Sequence, residues 1–156
     1  MKYIFNYRTT AFDLWQLSMY GIYGSMVGVC NLVFTVAMVL LSGRFWGEAN
    51  SFIKVLLIMG ISLFTVIQPV AIYRRGKKQV STIHHDTEIV FNDYGVQVKS
   101  GGQNSHLEWS AIKGVSKKPT MIIVFSSNKH GFILTNKVLG KEKEALYNYI
   151  LSKTQK

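Results

Sequence analysis

The densest group of side chains with metal-binding or acid–base chemistry in this 156-residue chain is His84-His85-Asp86, with Glu88 two residues further on. Two imidazoles and a carboxylate are a donor set that suits zinc and other transition metals. Their spacing works against such a site, because adjacent residues of a strand point to opposite faces and one ion cannot take both rings. Asp86 and Glu88 share a strand face, yet general acid–base work also needs a pocket and a reacting partner, and neither is suggested. His106 and His130 each stand alone on an expected strand. Cys30 is the only cysteine and lies inside an apolar run, so no disulfide framework and no thiol metal site follows. There is no nucleophile motif and no phosphate-binding glycine loop. Trp109 is a candidate for stacking on a ligand, but beside Leu107 it reads as a core residue. The expectation is a non-enzymatic protein with no catalytic residue, no metal and no cofactor.

Cations are the second chemistry. The chain carries a net charge of +10, unevenly spread. Residues 1–73 hold four Lys/Arg against two Asp/Glu, and residues 74–156 hold fourteen against six. The densest cluster is Arg74-Arg75-Gly76-Lys77-Lys78, directly after the uncharged run Val55–Tyr73. Cations beside an apolar span are retained in the cytoplasm and attract an anionic leaflet, at roughly 1 kcal/mol each. Lys113, Lys117, Lys118 and Lys129 are more scattered and form a candidate docking surface. No interleaving of Arg with aromatic residues marks a nucleic-acid groove, so no nucleic acid is expected.

The elements that position these groups begin with two apolar runs. Met19–Leu41 is 23 residues without a charge, roughly 34 Å as a helix, and Val55–Tyr73 is nineteen, roughly 28 Å. Both match the hydrocarbon thickness of a bilayer. The first lies too far from the start, is too long, and lacks a small-residue cleavage site, so no cleavable signal peptide is expected. Gly24 and Gly28 have a GxxxG spacing that lets a second helix approach, either Gly60 of the other span or a second copy of the chain. Asn31 and Gln68 are placed to hydrogen-bond between the helices. Neither span holds a carboxylate, histidine or cation, which argues against a transport pathway. Pro69 removes a helical hydrogen bond and bends the second span. Phe12, Trp15 and Tyr20 suit the headgroup level, as do Phe45 and Trp46 on the far side.

Flanking segments complete the plan. Lys2–Arg8 alternates like a strand, and Thr10-Ala11-Phe12-Asp13 reads as a capping box. After Lys78 the period becomes two: Thr87–Phe91, Val96–Lys99, Ser105–Trp109, Ala111–Lys117, Thr120–Ser126 and His130–Thr135 are expected strands, with a tight turn at Asn92-Asp93-Tyr94-Gly95. Thr120–Ser126 is apolar on both faces and should be the most buried. Leu139–Lys153 carries Leu139, Leu146, Tyr149 and Ile150 on one helical face, with Asn136 as its cap. The expected class is an α+β membrane protein: a two-helix transmembrane hairpin plus a pleckstrin-homology-like antiparallel β-barrel or bent sheet closed by a C-terminal helix. The segments are 1–18 (strand and interfacial helix start), 19–41 and 55–73 (spans), 42–54 (external loop), 74–85 (basic linker) and 86–156 (cytoplasmic domain).

The run FNDYGVQVKSGGQNSHLEWSAIKGVSKKPTMIIVFSSNKHGFIL resembles the YcxB-like domain of small bacterial membrane proteins. Gly95 with Val96, Ser105 and Trp109 of an S-x-x-x-W pattern, and Ile112 and Val115 after it, carry the likeness, together with the two spans behind a short N-terminal strand. Thr135-Asn136-Lys137 lacks the proline that such proteins tend to carry after the last strand, a departure confined to one turn. The resemblance implies a pleckstrin-homology-like fold at the bacterial inner membrane, both termini cytoplasmic, and brings no catalytic residues. The turn Asn92–Gly95, where phosphoinositide-binding relatives of the wider class carry cations, has none. The leading expectation is a module that docks an unidentified protein or the anionic leaflet. An envelope immunity or stress-protection protein acting against a toxin is the alternative, and an enzyme or transporter subunit the third.

Overall fold

The structure is a computed structural model that describes residues 3–82, 86–127 and 130–154. The chain divides into two compact units, residues 1–9 with 83–156 and residues 10–82.

The first unit is built on antiparallel strands. β1 (Tyr3–Tyr7), β2 (Thr87–Asn92), β3 (Gly95–Ser100) and β4 (Gln103–Glu108) form one sheet in that order. β5 (Gly114–Lys117), β6 (Met121–Phe125) and β7 (Gly131–Thr135) form a second. The expected single bent sheet is therefore two, and among the described residues no pairing closes a barrel. The break falls where Ala111–Lys117 was expected to be one strand. Trp109–Ala111 is a 3₁₀ turn instead, and β5 starts only at Gly114. The Trp109 ring is the reason: it turns in to stack on Phe91 and gives its indole N–H to the Asn92 carbonyl at 3.0 Å.

The β2–β3 turn follows its sequence. Asn92 Oδ1 accepts from the backbone N–H groups of Tyr94 and Gly95, both at 3.0 Å. Gly95 has φ 156°, and a Cβ there would run into the Leu107 carbonyl oxygen of β4, so only glycine fits. The closing helix is interrupted: α5 (Asn136–Leu139) ends at Gly140, whose φ is 52°, and α6 (Lys143–Thr154) resumes after one 3₁₀ turn. Asn136 does not cap with its side chain; its Nδ2 donates to the Pro119 carbonyl at 2.9 Å.

Both sheets and the closing helices share one core. Ile89, Phe91 and Val96 meet Ile122, Val124 and Leu134, under Leu146 and Ile150 of α6. All eight have 0% exposure. Each such aliphatic side chain gains about 1.5–3 kcal/mol from leaving water. Tyr3, Phe5 and Tyr7 turn inward from β1, as their alternation requires.

The second unit is helical. Thr10 opens α1 (Ala11–Tyr23) with a full capping box: the Asp13 N–H donates to Thr10 Oγ1 at 3.2 Å, and the Thr10 N–H donates to Asp13 Oδ2 at 2.8 Å. Gly24 ends α1, and α2 (Met26–Phe45) starts after Ser25. The first apolar run is thus two helices, and the helix long and apolar enough to cross a membrane is Met26–Phe45 rather than 19–41. An uncharged run hides such a break, because periodicity records polarity and not backbone direction. The second such helix is continuous from Ser51 to Val80. It comprises α3 (Ser51–Ser62), a π-helical turn (Leu63–Ile67) and α4 (Gln68–Val80). Asn50 caps it, accepting from the Ile53 N–H at 2.9 Å. Pro69 has no N–H to offer the Thr65 carbonyl, which lies inside the wider π turn, so the proline is absorbed there. Asn31 Nδ2 donates to Gln68 Oε1 at 3.0 Å, the expected bond between α2 and α4.

Candidate functional site

The basic segment is helix. Arg74, Arg75, Lys77 and Lys78 belong to α4 and not to the expected linker 74–85, whose residues 83–85 lie outside the described residues. Gly76, between them, is buried: a Cβ there would come within 3.1 Å of the Ala11 carbonyl oxygen and 3.5 Å of Leu14 Cβ. The glycine lets α4 approach α1 closely, and at 100° per residue the flanking positions turn away from that contact. All four cations are accordingly exposed. Among the described residues none of them has a carboxylate within ion-pair distance.

α1 and α4 are further held by Trp15, whose indole N–H donates to the Pro69 carbonyl at 3.1 Å while its ring stacks on Phe12 at 5.4 Å. Two grooves run along this pair. One, of about 310 Å³, is walled by Phe12, Trp15, Pro69, Val70 and Tyr73. The other, of about 510 Å³, has Leu14, Ser18 and Gly21 on one side and Ile72, Arg75 and Gln79 on the other. The α1–α4 pair was not anticipated from sequence. Its signal was the lone glycine inside the basic run, a residue that a mere topology signal does not need.

Gly24 and Gly28 do not share a helix face. Gly24 ends α1, and a Cβ on Gly28 would come within 2.6 Å of the Ile22 carbonyl oxygen and of Tyr23 Cα. The GxxxG spacing serves the corner between α1 and α2. Gly60 faces Met38 of α2, whose Sδ would sit 3.0 Å from an added Cβ.

The candidate cations of the sheet unit differ in their surroundings. Lys117 Nζ bonds Glu144 of α6 at 2.9 Å and lies over the Tyr147 ring at 5.2 Å. Lys118 contributes its carbonyl to Lys143 Nζ at 2.7 Å. Lys113 is exposed, and Lys129 lies outside the described residues. Glu88, considered for acid–base work, is paired across β2–β3 with Lys99 at 3.2 Å. Asp86 is exposed just before β2, and His84 and His85 lie outside the described residues. Among the described residues no cluster of His, Cys, Asp or Glu could hold a metal ion.

At the β2–β3 turn Asp93 receives Lys153 Nζ at 2.9 Å and the Tyr149 hydroxyl at 3.0 Å. The Lys153 bond, aided by Tyr149, holds the Asp93 carboxyl well below the usual carboxylate range. Burial, and then the bond to Asp93, push Tyr149 up to about 12. Burial alone pushes Tyr7 up to about 12. Trp109 meets Tyr149 edge-on at 5.8 Å, so it is a core residue that ties α6 to the turn.

A small two-sheet domain closed by helices, in a chain with two long apolar helices, is the class these units define. Residues 91–151 match the family described as YcxB-like protein, the family that the sequence resembles. The match takes in the turn glycine, Trp109, both sheets beyond β2 and most of α6. No curated protein matches the chain.

Proposed function

We propose that the chain is a non-enzymatic two-span protein of the bacterial inner membrane, whose pleckstrin-homology-like sheet domain is a cytoplasmic module that docks a protein partner. The observation that carries this reading is the register of β1 on β2, from Tyr3↔Phe91 to Tyr7↔Thr87. Both long apolar helices lie between these two neighbouring strands. A chain that leaves a sheet, crosses a bilayer and returns to the same sheet must cross an even number of times. The exposed cations of α4 at the return favour the cytoplasm for that side.

Docking of a protein is favoured for the sheet domain by its strand edge; of its lysines, Lys99, Lys117 and Lys153 are matched by carboxylates, while Lys113 is exposed. Among the described residues β4 pairs with a strand on one side only, and its exposed outer edge can receive a partner strand. Crosslinking in intact cells, compared between the full chain and one lacking residues 86–156, tests the reading. Loss of the crosslinked species on deletion is expected; retention of every species would refute it.

A further inference from the structure

We propose that the groove of about 510 Å³ between α1 and α4 binds one anionic glycerophospholipid, with its phosphate on Arg75. The inference rests on the membrane reading above and adds a specific ligand to it.

The groove has the size of small-molecule sites. Two glycines make it. Gly76 draws the helices together, and Gly21 leaves the space open, since a Cβ there meets nothing within 4 Å. Its lining mixes two chemistries: Leu14, Ile22 and Ile72 are apolar, whereas Ser18, Ser25, Gln79 and Arg75 are polar. No carboxylate lines it, and among the described residues Arg75 has no ion-pair partner. A guanidinium in such a place is matched by a phosphate, which it grips through two parallel N–H bonds.

The two hydroxyls narrow the headgroup. Ser18 donates to the Leu14 carbonyl at 2.9 Å and Ser25 to the Ile22 carbonyl at 2.7 Å. Each therefore offers a ligand only its lone pairs, which suit the hydroxyls of a glycerol headgroup. A quaternary ammonium headgroup has no proton to give them, and it would sit beside the cations of α4. Val27, which also lines the groove and is exposed, adds apolar surface for an acyl chain.

The test uses the full chain in detergent, with native mass spectrometry after addition of phosphatidylglycerol or phosphatidylcholine. Wild type should retain phosphatidylglycerol better than phosphatidylcholine, whose phosphate Arg75 can also grip but whose headgroup brings Ser18 and Ser25 no hydroxyl. Arg75→Gln should lower retention of phosphatidylglycerol about 10-fold, the scale of one charge-assisted hydrogen bond, and Gly21→Leu, which fills the groove and leaves every cation in place, should do the same. Arg74→Gln, with the same charge change outside this groove, should leave that retention unchanged. Equal losses for Arg74→Gln and Arg75→Gln, or full retention by a folded Gly21→Leu, would overturn the proposal. Should Gly21→Leu fail to fold, the Arg74 and Arg75 pair decides by itself. A chain that stays monodisperse without detergent would instead sink the membrane reading.

Discussion

The two units bury opposite kinds of residue. In the sheet unit Phe91, Val124, Leu146 and Ile150 are wholly enclosed, and charged side chains lie outside. In the helical unit Leu32, Leu40 and Phe52 are 62%, 68% and 70% exposed, while the buried residues are Gly28, Asn31 and Gly76. Water selects the first arrangement. The second is what a hydrocarbon solvent selects, since lipid tails solvate leucine as well as another leucine does and small or amide side chains make the helix contacts. One chain thus reads as two solutions to two solvents, and substitutions that cost much in one unit should cost little in the other.

The widest gap should appear between two leucines. Leu146→Ala in α6 should lose about 2–5 kcal/mol of unfolding free energy, and Leu40→Ala in α2 less than about 0.5 kcal/mol, both measured by denaturant unfolding of the detergent-solubilised chain. Equal losses would break the contrast. Next is Gly95→Ala, whose Cβ meets the Leu107 carbonyl. It should cost at least about 1 kcal/mol and shift the same unfolding midpoint; a neutral result would mean that the turn tolerates a side chain.

In the helical unit the polar residue carries the effect. Asn31→Leu removes the bond to Gln68 and should weaken α2–α4 association by about 0.6–2 kcal/mol, read as loss of a disulfide crosslink between cysteines placed on the two helices. An unchanged crosslink would mean that the amide pair contributes nothing. The smallest effect is electrostatic and exposed. Asp93 titrates lower in the folded chain than in the unfolded one, because of Lys153 and Tyr149. Its contribution is therefore complete above the ordinary carboxylate range near pH 4 and is lost as pH falls through the depressed folded value. The difference in unfolding midpoint between wild type and Asp93→Asn should be flat from about pH 7 to 5 and close below about pH 4. A difference that grows on acidification would reverse the assignment.

What the sequence made legible follows from what periodicity and turn chemistry record. Strand alternation in Tyr3–Tyr7 and Thr87–Asn92, the Asn92–Gly95 turn, the Thr10–Asp13 capping box and the Asn31–Gln68 pair are all local or strongly patterned, and all are present. The division of the sheet at Trp109–Ala111 was not legible, because an inward tryptophan looks the same at a strand end and in a 3₁₀ turn. The corner at Gly24–Ser25 was hidden inside an uncharged run, and Gly24–Gly28 looked like a helix-pairing spacing for that reason. The groove beside Arg75 depends on which helix Gly76 meets, a contact between residues far apart in sequence.

The central claim is that the exposed apolar helices sit in a bilayer with the sheet domain in the cytoplasm. A dual alkaline phosphatase–green fluorescent protein reporter fused to the C-terminus tests it most directly. The account predicts fluorescence and no phosphatase activity; phosphatase activity without fluorescence would contradict it.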